Sequence, residues 1–288
     1  MRRIHEMLIS LALAAMVSGG HAIAAPQRVV STFLCTDEYV FRLVPPKHIA
    51  ALSYEAVDRR PVVSTIADAA KDMPVIRPST ETVLALKPDL VVLYAGTNPR
   101  LHVNLKSLGI PVLDVPWANN LKDVRAVTAM LGDKLGASEK ARALLADMDR
   151  KIAAAKAAAP HPPVGAILYE PQGYANVQGV TEDVMRIAGI VDVAPPGAMT
   201  RTGQLPVEAV IAAAPELLIL GGEARSGTAR AYAVLHHPAL RALNGRTTMA
   251  FANLTPLLCP GPWSLDSAQT LGDLARKARA LARKRTPN

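Results

Sequence analysis

Apolar residues gather into short runs at Val29–Ser31, Ile49–Leu52, Leu90–Leu93 and Val112–Val115, and again at Val164–Leu168, Leu217–Leu220 and Thr248–Phe251. Such runs, with little polar alternation, mark strands covered on both faces, as in a parallel sheet. The stretches between them carry apolar residues at helical spacing, so strand and helix alternate in each half of the chain. One helical stretch stands apart. Asn120 caps a helix from Leu121 that pauses at Gly136, restarts after Ser138 and runs to Ala159, where Pro160, Pro162 and Pro163 stop it; Leu144, Leu145, Met148 and Ile152 mark its apolar face. About 20 residues at 1.5 Å each reach about 30 Å, the width of a small lobe, so this helix reads as a strut that permits rocking rather than wide hinge closure.

The two halves repeat. Glu81-Thr82-Val83-Leu84-Ala85-Leu86-Lys87-Pro88-Asp89-Leu90-Val91-Val92-Leu93 matches Glu208-Ala209-Val210-Ile211-Ala212-Ala213-Ala214-Pro215-Glu216-Leu217-Leu218-Ile219-Leu220, at an offset of 127 residues throughout. Each copy reads as an amphipathic helix, a Pro that stops it, an acid and a buried strand. Thr36-Asp37-Glu38 with Thr181-Glu182-Asp183, and Leu105–Gly109 with Leu240–Asn244, flank the match in the same order, which argues for duplication. The expected organisation is an α/β fold with one lobe over 25–120, linking helices over 121–160 and a second lobe over 161–288.

The chain begins Met1-Arg2-Arg3, continues with an apolar run from Met7 to Val17 and reaches the small-residue site Ala22-Ile23-Ala24. That order reads as a signal peptide over 1–24, removed on export, and the run is too short for a membrane span of about 20 residues. No cysteine follows it, so the mature protein is expected free in the periplasm rather than lipid-anchored. Net charge is +8, from 32 Lys+Arg against 24 Asp+Glu, but the cations are scattered apart from Arg276-Lys277 and Arg283-Lys284-Arg285, which a solvated last helix explains; nucleic acid is not an expected partner.

Ligands of open α/β sheets bind beyond the carboxyl ends of the strands. The scarce aromatics gather there: Phe33, Tyr54, Tyr94, Trp117 and Tyr169 at or just past strand ends, with Tyr174 and Trp263 in adjoining loops. An aromatic-walled cleft follows. No nucleophile elbow, paired-His motif or phosphate-cradling loop accompanies it, so binding without chemistry is expected, with no catalytic residue, resident metal or cofactor.

On these residues, and on Arg28-Val29-Val30-Ser31, Ile49 to Tyr54, Leu108-Gly109-Ile110-Pro111-Val112, His237-Pro238-Ala239-Leu240 and Pro260-Gly261-Pro262, the chain resembles the periplasmic substrate-binding proteins of ABC importers for cobalamin and ferric siderophores. The resemblance covers nearly all of residues 27–288. It implies two Rossmann-like lobes joined by a long rigid backbone helix, the class III periplasmic binding protein fold, and a monomer that captures a metal chelate between its lobes and delivers it to a permease in the inner membrane. Tyr54 and Tyr94, with Tyr94-Ala95-Gly96-Thr97-Asn98, resemble aromatic contacts for a corrinoid, whereas Arg77 lies near an arginine used against an oxygen-rich ferric chelate. Together with the strand-end aromatics, the expected ligand set is Tyr54, Arg77, Tyr94, Trp117, Tyr169, Tyr174 and Trp263.

Family members dock on their permease through one acid per lobe, which Glu208 matches in the second lobe. Arg100 stands near the first-lobe position, and Glu81 replaces it by internal symmetry. Cys35 and Cys259 follow the first and last strands and face the cleft in this fold; a disulfide leads over free thiols or a soft ligand site. Two rival functions are a receptor for bare zinc or manganese, with Cys35, Asp37 and Cys259 as available ligands, and a two-lobed chelatase-type enzyme, which needs a buried His/Glu pair.

Overall fold

The computed structural model describes residues 25–59, 63–175, 177–221 and 230–285; the expected signal peptide lies outside them. The first half builds one parallel sheet from β1 (Val29–Ser31), β2 (Ile49–Ser53), β3 (Val75–Ile76), β4 (Leu90–Tyr94) and β5 (Val112–Val115), in the order β3-β2-β1-β4-β5. The second builds another from β6 (Val164–Tyr169), β7 (Ile190–Asp192), β8 (Leu217–Gly221) and β9 (Thr248–Ala252), in the order β7-β6-β8-β9, every pairing parallel. Helices α1 (Leu34–Leu43), α2 (Thr80–Ala85) and α3 (Pro99–Ser107) belong to the first sheet, and α4 (Leu121–Lys134) and α5 (Ser138–Ala158) link the two. Helices α6 (Gly179–Ile187), α7 (Val207–Ala213), α8 (Thr255–Leu258) and α9 (Asp266–Arg285) complete the second lobe. Among the described residues no helix is long and apolar enough to cross a membrane.

The apolar runs of the inner strands β1, β4, β6 and β8 are buried on both faces, as their composition requires, whereas the edge strands β5 and β9 are only partly covered. Along β4, Val92 and Tyr94 enter a core shared by both lobes, while Val91 and Leu93 enter a smaller one on the far face of the first sheet. Along β6 and β8, Val164, Ala166, Leu168, Leu217 and Ile219 join the shared core, and Ile167, Tyr169, Leu218 and Leu220 the outer core of the second lobe. The shared core runs from Val29 and Val40 through Val124, Leu131 and Met148 to Val184, Leu265 and Leu271, so the lobes meet across α1, α4, α5, α6 and α9 without a solvent layer.

The link between the lobes is one helix in two parts. The Asn120 side chain accepts from the Asp123 amide at the start of α4, and the Leu121 amide donates to Asp183 of the second lobe at 3.0 Å. Gly136, at φ +64, turns the chain between α4 and α5. Lys151 of α5 pairs with Asp147 and with Asp266 of α9.

Candidate functional site

In each sheet the chain reverses its direction of build between two neighbouring strands, β1 and β4 in the first and β6 and β8 in the second, and crevices open at the carboxyl ends of such pairs. At the first, Phe33 follows β1 and stacks on Tyr94, the last residue of β4, with centroids 5.7 Å apart. Tyr94 meets Trp117 edge-on at 4.2 Å, and the Trp117 indole N–H donates to the Ala95 carbonyl at 2.8 Å. Tyr94 is buried and Trp117 is 51% exposed, so the ladder climbs from the core to solvent. Beside it, Tyr54 follows β2 and Arg77 follows β3, and the guanidinium lies 4.0 Å above the phenol ring. Among the described residues the exposed aromatic side chains are Tyr54, Trp117 and Tyr174, all in segments that follow strand ends.

Asp37 lies beneath this surface. Its carboxylate accepts from the Ser53 amide at 3.0 Å and from the Ser53 hydroxyl, joining the first turn of α1 to the end of β2. Burial pushes its pKa up to about 7 against these hydrogen bonds.

In the second lobe Tyr169, the last residue of β6, is fully buried. Its hydroxyl donates to the Leu205 carbonyl at 2.9 Å, and burial followed by the nearby Glu208 charge pushes its pKa up to about 12. The chain then turns through Gln172 and Gly173, at φ 64 and 83, and presents Tyr174 at 37% exposure. The Tyr169 hydroxyl lies 3.2 Å from where a Cβ on Gly173 would sit, and φ there is 83°, so a side chain at this position would be strained.

Trp263, expected to face the ligand, is 4% exposed and belongs to the inter-lobe core. Its indole N–H donates to the Cys259 carbonyl at 2.9 Å; its ring packs edge-on against Tyr39 at 4.7 Å and lies 4.2 Å below the Arg42 guanidinium. Pro260-Gly261-Pro262 wraps it so closely that a Cβ at Gly261 would stand 2.3 Å from the ring. Beside it Cys35 and Cys259 form a disulfide with Cα atoms 4.9 Å apart, across a separation of 224 residues, so neither sulfur is a thiolate open to a metal. Among the described residues no group of three His, Cys, Asp or Glu is placed to hold a metal ion.

Of the expected ligand set, the structure thus pairs Tyr54 with Arg77, sets Trp117 and Tyr174 exposed on opposite lobes, packs Tyr94 beneath Trp117, and buries Tyr94, Tyr169 and Trp263. Glu81 and Glu208 are both exposed, each in the first turn of the equivalent helix of its lobe, on the side that receives the strand ends. The Glu81 carboxylate is held below the usual range by its own backbone N–H and by Ser79. Phe33, read as a strand-end aromatic of the cleft but outside the expected ligand set, joins the ladder, and Glu170, which sequence reasoning left out of the site, directly follows β6. Proximity to a strand end was the signal for Glu170 too, but the aromatic criterion passed over the acid.

Residues 37–245 match the family described as periplasmic binding protein. Over 78 residues the chain is 36% identical to the iron(3+)-hydroxamate-binding protein YxeB of Bacillus subtilis, an alignment that covers 27% of this chain and only 23% of that relative. Similar solved structures include the periplasmic haem-binding protein HutB of Vibrio cholerae, with TM-score 0.69, 19% identity and coverage of 86% of this chain and 98% of that one. The vitamin B12-binding protein BtuF of Vibrio cholerae gives TM-score 0.61, 19% identity, 88% and 98%. A periplasmic haem-binding protein of Pseudomonas aeruginosa gives 0.63, 22%, 87% and 93%. At these identities the likeness is one of fold, two parallel-sheet lobes on a backbone helix. The chain belongs to the periplasmic binding protein family.

Proposed function

Taking that membership as the premise, we propose that the protein captures a metal chelate, a ferric siderophore or a cobalamin-like corrinoid, between its lobes in the periplasm and delivers it to an ABC permease of the inner membrane. The observation that carries this reading is the exposed Tyr54–Arg77 pair beside the Phe33–Tyr94–Trp117 ladder, at the carboxyl ends of β1 to β4. Leaving aromatic surface in water is unfavourable by about 25 cal/mol per Å², and a bulky chelate that covers Trp117 and Tyr54 recovers it. Arg77, its charge directed over Tyr54, supplies attraction for oxygen-rich anionic ligand atoms. The hydroxamate-binding relative and the cobalamin- and haem-binding neighbours support the chelate class. A receptor for bare zinc or manganese loses two of its three candidate ligands to the disulfide.

Glu208 and Glu81 are the proposed contacts for permease arginines. Both are exposed, at matching positions of the two lobes, and a charge-reversed Glu208→Arg protein should bind its ligand normally yet support less uptake in cells.

The direct test is titration of the mature protein with ferric hydroxamates, ferric catecholates, cyanocobalamin and haem, followed by tryptophan fluorescence. Such coloured chelates quench buried and exposed tryptophans alike, so the site is located by affinity: saturable quenching should persist but require at least tenfold more ligand in Trp117→Ala and in Tyr54→Ala, whose side chains are exposed. Affinity for such captured solutes is expected at roughly nM to μM. A response to none of the chelates, or unchanged affinity in both Trp117→Ala and Tyr54→Ala, rejects this cleft as the capture site.

A further inference from the structure

Glu170 is half-buried at the carboxyl end of β6, beside β8, where the second lobe opens its crevice. The alternation that sends Ile167 and Tyr169 to the outer core carries Glu170 to the opposite face, the one Leu168 shares with the core between the lobes. Its backbone is fixed, its amide donating to the Tyr174 carbonyl at 2.8 Å and its carbonyl accepting from Gly173 at 3.0 Å. Its side chain runs against Gly221, where a Cβ would come 3.2 Å from its Cγ and 3.5 Å from Leu254. The stem is therefore held between apolar groups and a glycine that makes room for it.

Among the described residues nothing donates a hydrogen bond or ion pair to the Glu170 carboxylate. Burial is the one influence on its proton affinity, which it raises, and no neighbouring charge offsets it. Its stem is packed while its carboxylate stays within reach of solvent, so its acceptor oxygens at the strand ends are free to take a donor that arrives from outside.

We propose that Glu170 receives an N–H donor of the ligand, above all a protonated amine, and so selects among metal chelates those that present such a group to the second lobe. This deepens the reading of the cleft as a chelate site and rests on it. The cleft is then polarised: Arg77 and the aromatic ladder take the anionic, chelating face, and Glu170 takes a cationic or amide edge.

Ferrioxamine B, a ferric trihydroxamate with a terminal ammonium group, and its N-acetyl derivative, the same chelate without that charge, form the matched probes. Tryptophan quenching should show at least tenfold tighter binding of the ammonium form by the wild-type protein, and no preference in Glu170→Gln. Removing an unpaired buried carboxylate should leave the melting temperature of that variant equal or higher, so its folding is secured. Equal affinities for the two probes in the wild type, a preference that survives in Glu170→Gln, or binding of haem alone, whose periphery offers carboxylates and no N–H donor, each overturn the assignment. Failure of the wild-type protein to bind any of ferrioxamine B, its acetyl form, ferric catecholates, cyanocobalamin or haem overturns instead the chelate reading on which it rests.

Discussion

Asp37 has no solvent-exposed surface, and its carboxylate ties the first turn of α1 to Ser53 at the end of β2. With a native pKa near 7 and an unfolded value of about 3.9, the folded protein keeps, between those values, a proton that the unfolded chain has released. Stability should therefore fall as pH rises from about 4 to about 7, by up to about 4 kcal/mol once Asp37 ionises. Asp37→Asn, which holds the neutral shape, should flatten this part of the profile. Urea midpoints at pH 5 and pH 8 read the difference directly, and an Asp37→Asn protein with the wild-type slope would discard the account. Residue-level chemistry was only partly legible in the sequence. Strand ends and their adjoining loops select Tyr54, Trp117 and Tyr174, which are exposed, but they select Tyr94, Tyr169 and Trp263, which are buried, just as readily. What separates them is local geometry. Tyr169 shares a pleat face with Ile167 and so enters the outer core, and Trp263 is enclosed because Gly261 lets the chain close over its ring. Neither fact has a signature in composition.

Among the elements, the repeat read from the sequence extends to the backbone. Lys87 and Ala214, separated by the same 127 residues, both take left-handed φ, at 47 and 41, where α2 and α7 end and just before Pro88 and Pro215. A left-handed residue followed by proline ends a helix sharply and turns the chain into the next strand, here β4 and β8. For a residue with a Cβ that conformation is unfavourable by about 1–2 kcal/mol. Ala214→Gly and Lys87→Gly, at exposed sites, should each therefore stabilise by about 0.5–1 kcal/mol after the added freedom of the unfolded chain is allowed for. Thermal melting would register about 1–4 °C upward per substitution, and a downward shift at both would remove the strain argument. The long central strands and the two-part linking helix were legible because double-sided burial and helical spacing write themselves into the sequence. The edge strands β3 and β7 were not. They are two and three residues long, each has a single neighbour, and Val75 and Val191 face solvent at 39% and 51% exposure, so no apolar run marks them.

At the scale of the whole molecule, the question is how far two lobes can move when they share a core. Each sheet buries its inner face in the same cluster, which α1, α4, α5, α6 and α9 complete. The Cys35–Cys259 disulfide crosses that junction, flanked by Trp263, Tyr39 and the Tyr39 hydroxyl that donates to the Pro260 carbonyl at 3.3 Å. Opening the cleft widely means exposing this apolar layer and stretching a covalent bond, so ligand entry is left to small rocking and side-chain rearrangement. A cross-link between residues 224 apart removes much freedom from the unfolded chain, and its loss is expected to destabilise by about 3–5 kcal/mol. Cys35→Ser/Cys259→Ser should therefore unfold at a urea concentration lower by about 1–2 M. It should still do so in one transition for both lobes, because the shared core, not the bond, makes them a cooperative unit. The two sulfur-bearing residues are only 4% and 3% exposed, so a dithiol should leave the wild-type bridge intact under native conditions and reduce it once urea opens the core. Two separated transitions in the serine variant, one for each lobe, would show that the disulfide alone couples them and that the packed junction does not.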